Sequence, residues 1–290
     1  MERTRFLVET IWLVAHLQDP DLRIVDMRGY VRTVEQNGVQ EAHYVGARDE
    51  YEQAHIPGAV YVDWTSDIVD TNASVKAQIA PAGQFAQVMG SLGIGDQHLI
   101  VIYDAHPASQ FATRLWWALK YYGHEQVVVL NGGLAKWKRE HLPLTDTIPD
   151  YPPTTFTPMV QPELRATAEE VLQLLDQPDV TLIDARDRGQ YTGALVRKPG
   201  RPGHIPGALN IPREEVIDSV TGTFRSNEEL AQVFSTSHVL PDQHIVAYCN
   251  GGVAATTILF SLAMLGYPSL TNYDGSWNEW GDRQDLPVEL

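Results

Sequence analysis

The chain is expected to be an α/β protein built as two tandem copies of one domain, each a parallel sheet flanked by helices. Three observations lead there. Sequence blocks recur in the same order in both halves, short apolar strands alternate with helical patterns, and a proline-dense stretch divides the repeats. Leu22-Arg-Ile-Val-Asp-Met-Arg28 returns as Val180-Thr-Leu-Ile-Asp-Ala-Arg186, and His55-Ile-Pro-Gly-Ala59 returns unchanged as His204-Ile-Pro-Gly-Ala208. Leu99-Ile-Val-Ile-Tyr-Asp104 matches His244-Ile-Val-Ala-Tyr-Cys249, and Leu130-Asn-Gly-Gly-Leu-Ala-Lys-Trp137 matches Tyr273-Asp-Gly-Ser-Trp-Asn-Glu-Trp280. The offset drifts from 158 (Leu22 to Val180) to 143 (Leu130 to Tyr273), as loop insertions between tandem copies require.

The elements follow in order. Phe6 to Leu17 is expected to form an amphipathic helix closed by Pro20. Glu9 and His16 interrupt its apolar run and no small-residue cleavage site follows. A secretory leader is therefore not expected, and the cytoplasm is the expected compartment. Pro143, Pro149, Pro152, Pro153, Pro158 and Pro162 make a stiff linker, giving expected divisions at 1–142, 143–163 and 164–290. Thr167-Ala-Glu-Glu170 is a capping box that should open a helix running to Leu175. Leu182-Ile-Asp and Ile245-Val-Ala-Tyr are buried strands, and Val253–Leu265 should be an apolar helix stopped by Gly266. Strand–helix alternation implies a parallel sheet, whose ligand sites lie beyond the carboxyl ends of the strands.

Composition narrows the function. The 290 residues carry 21 Lys+Arg against 37 Asp+Glu, a formal charge of −16, so a nucleic-acid footprint and attraction to anionic membranes are not expected. A single cysteine, Cys249, excludes an intramolecular disulfide, a Cys-based zinc site and an iron–sulfur cluster.

The repeat acts as an internal control: what both halves share serves the fold, and what one half holds alone is a candidate for chemistry. His55 and His204 are read as turn histidines bonded to backbone. Asp26/Arg28 and Asp184/Arg186 are read as pairs that brace a neighbouring loop. Trp280, matched by Trp137, is assigned to the core, and Trp277 is left open to a pocket role. Asp104 and Cys249 occupy equivalent strand ends but differ. After Cys249, the run Asn250-Gly251-Gly252-Val253-Ala254 precedes a helix N-terminus, a setting in which backbone N–H groups can cradle an anion beside a thiol. A helix dipole alone contributes about 0.3–1 kcal/mol, so the loop N–H groups must supply most of that stabilisation. Asp104 offers no nucleophile and is expected to cap its own helix, which leaves the first half catalytically silent. A Cys-dependent phosphatase needs an Arg six residues after the Cys; that position is Ala255.

Taken together, Asp-x-Arg, His-Ile-Pro-Gly-Ala, the strand ending in Cys249 and Tyr273-Asp-Gly-Ser-Trp-Asn-Glu-Trp-Gly281 resemble the two-domain rhodanese sulfurtransferases over nearly the whole chain. The resemblance implies tandem rhodanese-like domains with the nucleophile in the second. It implies a Cys249 persulfide formed from a small anionic donor, thiosulfate or 3-mercaptopyruvate, and passed to cyanide or a thiol, a protein acceptor included. The chemistry is covalent and two-step, and it needs no metal or organic cofactor. A non-catalytic persulfide carrier or sensor is the alternative.

The donor stays open. The run after Cys249 lacks both the cations of thiosulfate-type loops and the hydroxyls of mercaptopyruvate-type ones. Gln190 stands where an Arg is usual, Arg197 keeps a spacing of seven residues to His204, and Thr65 and Gln78 replace an acidic residue and a His. Asn250, Gly251, Gly252, Val253, Ala254, Arg197 and Gln190 are expected to bind substrate, with Asp184, Arg186 and His204 as structural support. Arg197, Lys198 and Arg201 form the expected cationic rim that draws an anion to an acidic protein.

Overall fold

A computed structural model describes residues 3–37, 39–198 and 200–290. In the first half the chain runs β1 (Leu7–Val8), α1 (Thr10–His16), β2 (Leu22–Asp26), β3 (Gly29–Gln36), β4 (Val39–Gly46), α2 (Arg48–Gln53), β5 (Ala59–Tyr61), α3 (Ala82–Ser91), β6 (Leu99–Tyr103), α4 (Gln110–Tyr121), β7 (Val127–Leu130) and α5 (Gly133–Arg139). In the second half it runs β8 (Arg165–Ala166), α6 (Ala168–Leu174), β9 (Val180–Asp184), α7 (Arg188–Tyr191), β10 (Val196–Lys198), β11 (Leu209–Asn210), α8 (Asn227–Thr236), β12 (His244–Tyr248), α9 (Ala255–Leu265), β13 (Leu270–Tyr273) and α10 (Ser276–Trp280).

Two parallel sheets result, ordered β1-β7-β6-β2-β5 and β11-β9-β12-β13-β8. Repeat partners take equivalent places: β2 corresponds to β9, β6 to β12 and β7 to β13. The central strands are apolar and buried on both faces because helices cover both sides, as parallel sheets require. Among the described residues, no helix is long and apolar enough to cross a membrane.

The N-terminal segment corrects the expected helix. Leu7 and Val8 pair with Val129 and Leu130 as an edge strand, and only Thr10–His16 is helical. Edge pairing buries both residues to 4% and 7% exposure, which a helix there would not do. The capping box at Thr167 and Glu170 is formed, and its helix ends at Leu174. Helix α9 starts at Ala255, two residues later than the pattern suggests, because Val253 still belongs to the loop. Gly266 closes it at φ 87°.

A third sheet joins the halves. β3 and β4 form an antiparallel hairpin, and β10 from the second half pairs parallel to β4, with Arg197 opposite Gln40. Helices α4 and α9 also pack across the halves. There Thr113 Oγ1 lies 3.0 and 3.1 Å from the hydroxyls of Thr256 and Thr257, and Trp116 meets Phe260 edge-on at 5.0 Å. The halves therefore share one continuous apolar core.

Candidate active site

The support beneath the site is built the same way in both halves. Asp184 ends β9 and takes bonds from Arg186 Nε at 3.0 and 2.9 Å and from Nη2 at 2.6 Å. The same Nη2 reaches the carbonyl of Gly203 at 2.8 Å. In the first half Arg28 pairs with Asp26 and reaches Ala54 O at 2.8 Å. Each guanidinium thus holds the residue just before a His-Ile-Pro-Gly turn. Burial works against the Arg186 charge, but Asp184 outweighs it and holds the guanidinium above its ordinary range. His204 Nδ1 bonds Tyr191 O at 2.9 Å and its ring stacks on Tyr191; His55 bonds Tyr51 O at 2.7 Å and stacks on Tyr51. Neither histidine faces a cavity beside Cys249.

Cys249 follows the last residue of β12 and is 3% exposed. It sits in the wall of a cavity of about 280 Å³ formed between the halves. Arg186, Gln190, Arg197, Asn250, Gly251, Val253 and Ala254 share that wall. The backbone N–H groups of Asn250, Gly251, Val253, Ala254 and Ala255 find no acceptor among the described residues. These donors at the start of α9 provide a place for negative charge on sulfur.

Gly252 corrects the cradle. It does not line the cavity, and its N–H donates to Ser276 Oγ at 2.9 Å. Ser276 Oγ also accepts from Cys249 N at 3.1 Å and donates to Tyr273 O at 2.8 Å. Gly252 serves the loop through its backbone: its φ is +68°, and a Cβ there would stand 2.8 Å from Asp274 O. Its carbonyl is held by Asn272 Nδ2 at 3.0 Å and by Arg114 of the first half at 3.1 Å. Arg114 also forms a buried ion pair with Asp274 at 2.7 Å. At Gly251, a Cβ would come within 2.9 Å of Asn278 Nδ2, 3.2 Å of Ala77 Cβ and 3.3 Å of Tyr44 OH, so a serine there requires the Asn278 amide to shift.

An amide relay crosses the cavity wall. Asn250 Nδ2 donates to Gln190 Oε1, and Gln190 Nε2 donates to Gln40 Oε1, each at 2.9 Å. Both ends of the Gln190 amide are used in this relay, and Asn250 Oδ1 is buried without a partner.

The cationic rim differs from expectation. Arg197 lines the cavity, 3.3 Å from Tyr44 OH. Arg201 instead clamps four backbone carbonyls, those of Trp280, Gly281, Arg283 and Leu286. Lys198 is exposed on β10 and is not part of the wall. Arg213 also lines the cavity; its Nη2 pairs with Glu214 at 2.8 Å, while its Nε is buried and unpartnered. Trp277 is not in the cavity either. It is 1% exposed and packs against the Arg186 guanidinium at 4.3 Å, while Trp280 and Trp137 each donate to a proline carbonyl. Thr65 bonds Asp63 and Gln78 bonds Arg165, away from Cys249.

The first half contributes residues that the sequence reading passed over: Tyr30, Thr33, Gln40, Tyr44, His106 and Gln110 line the cavity. His106 lies two residues after Asp104 in the loop equivalent to the one after Cys249, which was the available signal. Asp104 accepts from the N–H groups of His106, Phe111 and Ala112 at 2.8–2.9 Å, anchoring that loop to the start of α4. Burial nevertheless pushes its carboxyl up to about 7.

Comparison with known proteins agrees with this architecture. The family model for the rhodanese-like domain matches residues 9–140 and 167–283. The chain is 35% identical to 3-mercaptopyruvate sulfurtransferase of Escherichia coli K12 over 99% of its own length and 98% of that protein. It is 33% identical to the sulfur carrier protein TtuD of Thermus thermophilus, over 97% of this chain and 95% of that one. The crystal structure of SseA from Escherichia coli, a 3-mercaptopyruvate sulfotransferase, superposes with a TM-score of 0.82 at 31% identity, covering 94% of this chain and 98% of that one. The chain belongs to the rhodanese-like domain family and carries two copies of its domain.

Proposed function

We infer that Cys249 takes a sulfane sulfur from thiosulfate or 3-mercaptopyruvate, holds it as a persulfide and passes it to a thiol or cyanide. The chain is a sulfurtransferase, as its family and its relatives indicate. The observation that carries the finer reading is the chain's one thiol in a cavity that also presents unpartnered backbone N–H groups, Arg197 and Arg213. The thiolate is the nucleophile. Its Sγ attacks the outer sulfur of thiosulfate or the thiol sulfur of 3-mercaptopyruvate; the S–S or C–S bond breaks, and sulfite or the enolate of pyruvate leaves with the electron pair. The loop N–H groups carry the negative charge of the persulfide until an acceptor attacks its terminal sulfur. The two arginines hold the donor's permanent anion. In this reading residues 1–142 form the half without a nucleophile, 143–163 the linker and 164–290 the half that carries Cys249.

Arg-dependent phosphoryl chemistry at the same loop is disfavoured by Ala255. A persulfide carrier that serves a protein acceptor is the second reading. It is favoured by the absence of charged side chains in the loop and by the likeness to a protein named as a sulfur carrier. The test is kcat/KM for each donor with cyanide as acceptor. Turnover with at least one donor, with parallel double-reciprocal lines, is expected; no turnover with either would overturn the enzyme reading.

A further inference from the structure

His106 belongs to the half without a nucleophile, yet it lines the same cavity as Cys249. The ring is locked in place. Ala108 N donates to its Nδ1 at 3.0 Å, and the ring meets Phe111 edge-on at 5.8 Å. A donated N–H occupies the Nδ1 lone pair, so the single proton of the neutral ring lies on Nε2. Burial, with Arg213 nearby, pushes the imidazole down to about 3, so it stays uncharged at neutral pH. Among the described residues no group bonds Nε2. The wall therefore combines a neutral imidazole, whose Nε2 has no protein partner, with the guanidinium groups of Arg197 and Arg213 besides the paired Arg186. The run Asn250–Ala254 offers no hydroxyl of its own.

A neutral donor contributes least to an anion already present and most to an oxygen that becomes charged during the reaction. Thiosulfate enters and leaves as an anion on its sulfonate end. In a 2-oxo thiol the ketone oxygen is neutral at first and becomes an enolate oxygen as the sulfur departs. We propose that His106 donates from Nε2 to the ketone oxygen of a 2-oxo thiol donor and stabilises the enolate formed when Cys249 takes the sulfur. This rests on the reading of Cys249 as the sulfur-accepting nucleophile. In that step a bond forms between Cys249 Sγ and the donor sulfur, which keeps its hydrogen. The donor carbon–sulfur bond breaks, and its electron pair passes into the enolate. A proton from water then returns to that carbon, giving the 2-oxo acid. His106 keeps its proton throughout, since a neutral imidazole acts here as an electrophile rather than an acid.

The experiment compares wild type, His106→Phe and His106→Gln as full-length chains with matched thermal melts. Three donors are used: 3-mercaptopyruvate, thiosulfate and glutathione persulfide, whose leaving group is a thiolate without an enolate oxygen. Removing one such donor typically lowers kcat by about a hundredfold or more. For His106→Phe with 3-mercaptopyruvate the expected loss in kcat is about a hundredfold, with KM within about threefold. The amide N–H of His106→Gln restores about tenfold. Charging of Cys249 by the other two donors stays within about threefold. An unchanged kcat with 3-mercaptopyruvate in His106→Phe overturns the proposal, as does an equal loss with all three donors. Wild type that charges from thiosulfate or the persulfide but not from 3-mercaptopyruvate also overturns it, leaving the Cys249 reading intact. Wild type that charges from none of them sinks that reading itself.

Discussion

Replacing Ser276 probes the loop from beneath without touching the cavity. Its hydroxyl is fully buried, accepts the N–H groups of Cys249 and Gly252 and donates to Tyr273 O. Ser276→Ala leaves two donors and one acceptor unpaired. Each such buried group costs about 1–3 kcal/mol, and the lower bound for three is about 3 kcal/mol. The residue also holds φ +52°, a region that favours glycine. Ser276→Gly loses the same three bonds but recovers about 1 kcal/mol of backbone strain, leaving a net cost of about 2 kcal/mol. At about 2–4 °C per kcal/mol, the melting temperature falls by about 6–12 °C for the alanine variant and by about a third less for the glycine one. Calorimetry and urea titration read both. Activity falls at least tenfold in each variant, because the N–H groups flanking Cys249 lose their anchor. Alanine stability within about 0.5 kcal/mol of wild type, or glycine less stable than alanine, would show that Ser276 does not anchor the loop in this way.

Three further expectations concern charge. Arg197→Ala raises the KM of the anionic donor about tenfold, equivalent to about 1.4 kcal/mol, with kcat little changed; steady-state kinetics showing an unchanged KM would remove Arg197 from donor binding. Asp274→Asn breaks the buried pair with Arg114, leaves that cation uncompensated and costs about 3–5 kcal/mol; a urea midpoint equal to wild type would contradict this. Asp104, with its carboxyl raised from 3.8 to about 7, binds its proton more tightly in the folded than in the unfolded chain. Its contribution is complete below about pH 4 and is lost as pH rises through about 7, by up to about 4 kcal/mol. The stability of wild type relative to Asp104→Asn therefore declines from pH 5 to pH 8, and a constant difference in urea unfolding would refute it.

The parts of this molecule legible in the sequence are those encoded locally or by repetition. The repeat carries the two sheets, because Leu22–Asp26 and Val180–Asp184 each bring strand and strand-end carboxylate together in a few residues. Cys249 stands out because its partner position holds Asp104. What escaped depends on how the copies dock. His106 and Tyr44 come from the other half and meet Cys249 only across the interface, and Arg213, of the same half, reaches the cavity from a segment 36 residues away in sequence. Arg201 and Arg197 read alike as loop cations, yet one is spent on the carbonyls near the chain's end and the other lies in the cavity. The joining hairpin did carry a local signal, Asn37-Gly38 between two extended runs, which the expectation of strict strand–helix alternation passed over. Gly252 was recognised as a loop glycine, but the direction of its N–H depends on Ser276, which lies on another element.

In the proposed mechanism sulfur resides on Cys249 between donor and acceptor. Intact-protein mass spectrometry after incubation with thiosulfate and, separately, with 3-mercaptopyruvate tests it most directly, followed by peptide mapping and addition of cyanide. A gain of one sulfur atom is expected, mapped to Cys249, removed by cyanide and absent in Cys249→Ser. No gain from either donor, or sulfur transfer that persists in Cys249→Ser, would contradict it.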